Sequence, residues 1–189
     1  MPLLSPAAPP AAVHAVRTAL TSPTAIRQAR SLRAAQGACT LLHSHPVHVL
    51  TPSSPARRAP ATMHPAGWRF LIGGADETPI ASAEAVSVAG GWTVSHFSEG
   101  PFVTSTYRAL LQAEKLPGHY EPRVLSVPGL YMLALWLHGD TASDTTGDVL
   151  IPLAPAPPGI AAHRFHHAGD LLPALTERLA STPLLAGSA

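Results

Sequence analysis

The longest uninterrupted apolar run in the chain is Leu130 to Leu137, LYMLALWL, eight residues. A helix that crosses a bilayer needs about 20 such residues, so the run is too short to span a membrane. It is apolar at every position rather than at alternate ones, which suits a strand covered on both faces. The run therefore predicts a sheet with this segment at its centre and other elements packed above and below it. No longer apolar stretch occurs elsewhere, and no membrane-spanning helix is expected.

Charge divides the chain unevenly. All eleven acidic residues lie from Asp76 onward, whereas six of the twelve basic ones (Arg17, Arg27, Arg30, Arg33, Arg57 and Arg58) precede Met63. Residues 1–62 thus carry a formal +6 and the remainder −5. The first 62 residues also hold nine prolines and no Phe, Trp or Tyr. Prolines at that density leave room for helix only over Val13–Leu20 and Ala25–Ala35. With few large apolar side chains to offset the entropy of ordering, the expectation is a largely disordered Pro/Ala/Arg-rich extension. Eleven of the twelve basic residues are Arg, Lys115 is the one Lys, and Asn is absent, the usage of a GC-rich bacterial gene. On that basis Met63 is read as the initiator, with residues 1–62 partly or wholly upstream of the true start. The single cysteine, Cys39, leaves no intramolecular disulfide to form. There is no basic stretch followed by an apolar core at the N-terminus, so a cytoplasmic protein is expected.

From Met63 onward a single α+β domain is predicted. Trp68–Ile72 alternates as a strand and ends at Gly73-Gly74. Ile80–Val88 and Trp92–Phe97, joined by Gly90-Gly91, form a hairpin. A helix follows with Ser98 as cap, Glu99 in its first turn, an apolar stripe through Phe102, Val103, Thr106, Tyr107, Leu110 and Leu111, and a stop at Pro117-Gly118. Arg123–Val127, Leu130–Leu137 and Asp148–Leu153 continue as strands, and Asp170 starts a last helix that turns Leu171, Leu172, Leu175 and Leu179 inward. The order β-β-β-α-β-β-β-α, with short turns, predicts a mainly antiparallel sheet of about five or six strands with two helices on one face.

Three groups of residues carry the types needed for chemistry. His96, Ser98 and Glu99 lie where a strand passes into a helix N-terminus, and offer a base, a hydroxyl and a carboxylate for catalysis. The surrounding H-F-S-E-G lacks the G-x-S-x-G of a nucleophile elbow, which favours a capped helix instead. His163, His166 and His167 form a histidine cluster before the last helix, a candidate metal or general-base site if Asp140, Asp144 or Asp148 lies beside it. The alternative is an exposed loop. The spacing of those aspartates does not fit a calcium loop. Cys39, His43, His45 and His48 make C-x3-H-x-H-x2-H, a spacing that matches no common zinc finger.

No phosphate-binding, dinucleotide, C-x-x-C or H-E-x-x-H motif occurs, so no cofactor is expected. The acidic balance after Met63 argues against nucleic-acid binding by the domain. The leading expectation is a small bacterial accessory protein that works by protein–protein interaction or self-association, with edge material such as Arg123–Val127 open to a second chain. The alternative is a small enzyme, a hydrolase for instance, using His96, Ser98 and Glu99.

Overall fold

The computed structural model describes residues 3–35, 39–52, 61–139 and 147–181. Three helices and eight strands follow the pattern α1 (Pro10–Thr21), α2 (Arg30–Ala34), β1 (Thr40–Thr51), β2 (Thr62–Gly73), β3 (Pro79–Val88), β4 (Gly91–Ser98), α3 (Pro101–Ala113), β5 (Tyr120–Val127), β6 (Met132–Gly139), β7 (Val149–Pro152) and β8 (His166–His167), and a fourth helix, α4 (Ala168–Ser181), closes the order. The strands form one sheet in the order β4-β3-β2-β1-β5-β6-β7-β8. Every neighbouring pair is antiparallel except β1 and β5, which run parallel.

The sheet is thus two four-stranded meanders joined at a seam. At the seam Val47 pairs with Val124, His48 with Leu125 and Val49 with Ser126. Pro46 on β1 stands one residue, and Pro122 on β5 two residues, before the first of these pairs. Neither carries an N–H to donate, so the parallel ladder begins beyond them. A half-turn about an axis along the seam carries the topology of one meander onto the other.

Cross-strand partners share a face, so the register sorts side chains into two layers. Phe70, Ile72, Ala81, Ala83 and Ala85 lie on one face and pack against Ala12 and Val16 of α1 and Leu32 of α2. On the same face, beyond the seam, Ala134, Trp136 and Leu150 pack against Leu171, Leu175 and Leu179 of α4. The opposite face is covered by α3, whose Val103, Ala109, Leu110 and Ala113 meet Leu71 of β2 together with Leu135, Leu137 and Ile151 of the other meander. One helix therefore serves both halves.

Local sequence explains the ends of these helices. Pro10 at the first turn of α1 sacrifices no bond, because that N–H lacks a helical acceptor anyway. In α3 the N-cap position is Gly100 at φ 94°, and no side chain caps the helix. Ser98 instead ends β4.

The expectation of five or six mainly antiparallel strands, two helices on one face and a largely disordered N-terminal segment is corrected on each point. The sheet is mixed and has eight strands, and the helices lie on both faces. Residues before Met63 supply α1, α2 and β1, and β1 is an inner strand. The reason lies in pairing rather than composition. β1 needs few large apolar residues of its own, because it is bonded on one side to β2 along most of its length and on the other to β5. Ala12 and Val16 are small, yet both are fully buried because the sheet below presents Phe70 and Ile72. Arg123–Val127 is likewise an inner strand, between β1 and β6, and not an edge. In the apolar run, β6 begins only at Met132, and Tyr131 stands 90% exposed in a left-handed turn. Arg57 and Arg58 lie outside the described residues.

Candidate functional site

His96, Ser98 and Glu99 follow one another in sequence but serve different neighbours. His96 is exposed on β4, with Nδ1 3.0 Å from the Ser95 hydroxyl and Nε2 3.9 Å from Glu84 Oε2. Ser98 stands opposite Ser82 on β3. Glu99 turns back to the N-terminal segment, where its Oε1 accepts the backbone N–H of Ser31 at 2.5 Å. A carboxylate there meets the free N–H groups of the first turn of α2. Partial burial acts to raise the carboxyl pKa of Glu99, but the bonds from Ser31 and the proximity of Arg30 outweigh it and hold the value below normal.

The histidines before α4 also part company. His166 and His167 are consecutive on β8 and project to opposite sides, pairing with Leu150 and Val149. His163 lies at φ 61° and places Nε2 3.0 Å from the hydroxyl of Ser105 on α3. Ser105 in turn accepts the Ala154 N–H at 2.7 Å, which fastens the 153–163 connector to the helix. Burial, reinforced by Arg108, pushes the His163 pKa down. In β1, His43 and His45 share the face under α3 while His48 is on the other, so the C-x3-H-x-H-x2-H series is divided by the sheet. Among the described residues no group of three or more His, Cys, Asp or Glu is arranged to hold a metal ion. Asp140 and Asp144 lie outside the described residues.

Asp148 does meet a histidine, but one that sequence reasoning did not select. Its side chain is wholly buried and accepts three donors: Trp136 Nε1 at 2.6 Å, the Gly139 N–H at 2.9 Å and His138 Nδ1 at 3.0 Å. The carboxylate keeps the proton of His138 on Nδ1 and leaves Nε2 as the free lone pair, the tautomer a general base requires. Around Trp136 stand His48 at 5.0 Å and His138 at 5.6 Å between ring centroids, with the Arg123 guanidinium 4.8 Å over the indole. Arg123 also donates to Glu121 at 2.7 Å. The His48 pKa is pushed down first by burial, then by Arg123, with His138 and His64 adding to the effect and Glu121 opposing it. The signal for the Asp148–His138 pair was in the sequence, since the two residues flank the polar loop between β6 and β7.

A concavity of a different kind lies elsewhere among the described residues. A groove of about 790 Å³ runs between α1 and the edge strand β4, walled by Ala11, His14 and Thr18 on one side and by Trp92, Val94 and His96 on the other. No Asp, Glu, Lys or Arg lines it. β4 pairs with β3 alone, so its outer row of N–H and C=O groups has no strand beside it among the described residues. A bulge at Ser95 interrupts that row, where Ala85 pairs with Val94 and Glu84 with His96, and the Ser95 hydroxyl bonds the Glu84 carbonyl at 3.2 Å. At the far end of α1 a smaller hollow of about 570 Å³ borders Cys39, whose thiol pKa is raised by burial and which is therefore a poor nucleophile at neutral pH.

No helix among the described residues is long and apolar enough to cross a membrane. Compared with protein-family models, with curated proteins and with solved structures, the chain finds no match.

Proposed function

We propose that this chain is an accessory protein that acts by binding another protein, and that the groove between α1 and β4 receives an extended segment of the partner. The observation that carries the reading is the coincidence of an open strand edge with a helix wall along one uncharged groove. An edge strand supplies a row of backbone donors and acceptors to an added strand, and the groove beside it sorts the side chains that point inward. Trp92 and Val94 form the apolar floor, so the favoured segment has apolar residues at alternate positions. The bulge at Ser95 limits the continuous edge to the stretch before it, which favours a short segment over a long strand. A second copy of the chain is the alternative occupant. The same proposal takes the protein to be bacterial and cytoplasmic, on its arginine-rich usage and single cysteine.

A test is to pan a random peptide library against the full chain and to measure self-association by light scattering. Thr18 is exposed on the helix wall, so Thr18→Arg fills the groove without touching the core. Alternating apolar peptides, or dimers, that are lost in Thr18→Arg support the proposal. A strict monomer whose recovered peptides bind Thr18→Arg equally well refutes it.

A second reading rests on the Asp148–His138 pair, a histidine base oriented by a buried carboxylate. It makes the chain a small hydrolase with its site where β6 meets β7 rather than at His96–Glu99.

A further inference from the structure

The layer beneath α3 contains a polar group with no partner. His45 on β1 is fully buried, and neither of its ring nitrogens has a hydrogen-bond partner of ordinary geometry. The Pro122 carbonyl of β5 acts on it as an acceptor. Across the β1–β2 ladder His45 faces Arg69, which is itself buried. That guanidinium is committed to Glu84 of β3, with Nε 2.9 Å from Oε1 and Nη2 bonded to the same oxygen. His43, two residues earlier, stacks on His45 at 6.2 Å and meets the Tyr107 ring of α3 at the same distance. Glu114, just beyond α3, acts on His43. From the other side of the helix Ser105 bonds His163, with Arg108 nearby. Three imidazoles therefore stand against one helix, and among the described residues the carboxylate bonded to Arg69 is Glu84.

We propose that α3 is an acid-released cover, held down while His43, His45 and His163 are neutral and lifted when they take up protons. A proton on His45 puts an imidazolium beside Arg69 in a layer that water does not reach. Burying a second cation there is costly, and exposure is the route that relieves it. Burial and then the neighbouring His43 push the His45 pKa down to about 4 against the Pro122 carbonyl, with Arg69 adding a smaller push, and burial lowers those of His43 and His163 as well. The helix rather than the sheet gives way because strands are tied by ladder bonds and α3 mainly by side chains. Its two ends are also bracketed by Gly100 at φ 94° and Gly118 at φ 116°, positions that suit hinges. Lifting α3 uncovers Leu71, Leu135, Leu137 and Ile151, an apolar surface shared by both meanders.

Hydrogen exchange read by mass spectrometry on the full chain, corrected for the intrinsic effect of pH, tests the inference. Between about pH 7.5 and about pH 4.5, peptides from 101–113 should lose protection by at least about tenfold more than peptides from 168–181. In His45→Leu, which fills the site with an apolar side chain, α3 should keep its protection at the lower pH. Should that variant fail to fold, His43→Gln, nearer the rim, should shift the opening to lower pH. Equal loss over α3 and α4, no loss at α3, or opening in both folded variants at the wild-type pH would each overturn the proposal.

Discussion

The wholly buried carboxylate of Asp148 receives the indole N–H of Trp136 at 2.6 Å, a bond between β6 and the residue just before β7. Removing the acceptor strands the indole, the Gly139 N–H and His138 together. An unsatisfied buried donor costs about 1–3 kcal/mol, so Asp148→Ala should lose about 3 kcal/mol or more in urea denaturation. Trp136→Phe, which leaves the other two donors in place, should lose less. Equal losses would show that the carboxylate is not the centre of this network.

Stability should fall on mild acidification. For His45 the unfolded chain takes a proton near pH 6.5, whereas the folded chain resists it until about 4. Between those values the unfolded state holds more protons, so the histidine's contribution is complete above about 6.5 and is lost as pH falls toward 4. From this residue alone the loss is about 3 kcal/mol. His43, His48 and His163 are displaced in the same direction and add to it. Denaturation midpoints at about pH 7.5 and about pH 5 should differ accordingly, and in His45→Leu the difference should shrink.

Glu99→Ala should loosen α2 rather than abolish a reaction. The carboxylate satisfies the Ser31 N–H at the start of a five-residue helix that has no side-chain cap of its own. Loss of such a cap costs about 1 kcal/mol. Exchange of the 30–34 amides should quicken, while that of α4 stays as it was.

A chain that begins at Met63 should not fold cooperatively. It lacks β1, whose two edges hold β2 and β5, and it lacks the helices that cover Phe70 and Ile72. Circular dichroism of residues 63–189 should show no sharp melting transition. A cooperative melt close to that of the full chain would contradict the pairing described above.

Gly67→Ala should be among the most damaging single substitutions in β2. A Cβ at that position would stand 2.3 Å from the Ala85 carbonyl oxygen, well inside contact distance, and the obstacle is backbone that cannot swing aside. The variant should lose several kcal/mol, roughly the upper range for point substitutions, in the same urea assay.

Sequence patterns located the elements whose residues announce themselves one at a time. The Gly90-Gly91 hairpin and the leucines of α4 appear where the patterns put them, while the buried face of α3 keeps Val103, Thr106 and Leu110 of the predicted stripe but leaves Leu111 exposed. β1 was hidden because histidine and proline are poor strand indicators. In LLHSHPVHVL the alternation is present, with His43, His45 and Val47 on one face, but three histidines in six positions invite a reading as ligands. α1 was half visible as a possible helix, but alanine carries no sign of which surface will bury it.

The candidate residues show the same limit. His96 and Ser98, two apart on β4, share the face that carries Glu84 and Ser82, whereas Glu99 lies beyond the strand and turns back to Ser31. Chemistry on a sheet is assembled across strands. The pairs the sheet does form, His138 with Asp148 and Arg69 with Glu84, come from segments consecutive in the chain, and the polar breaks between those segments were legible in the sequence.

The shared helix has one more consequence. Two meanders that meet along only three parallel residue pairs would be expected to melt as two bodies. Since α3 draws Leu71 from one and Leu135, Leu137 and Ile151 from the other into a common layer, neither half can shed it and stay dry. A bipartite topology thereby becomes a single calorimetric unit, with one heat-absorption peak in place of two.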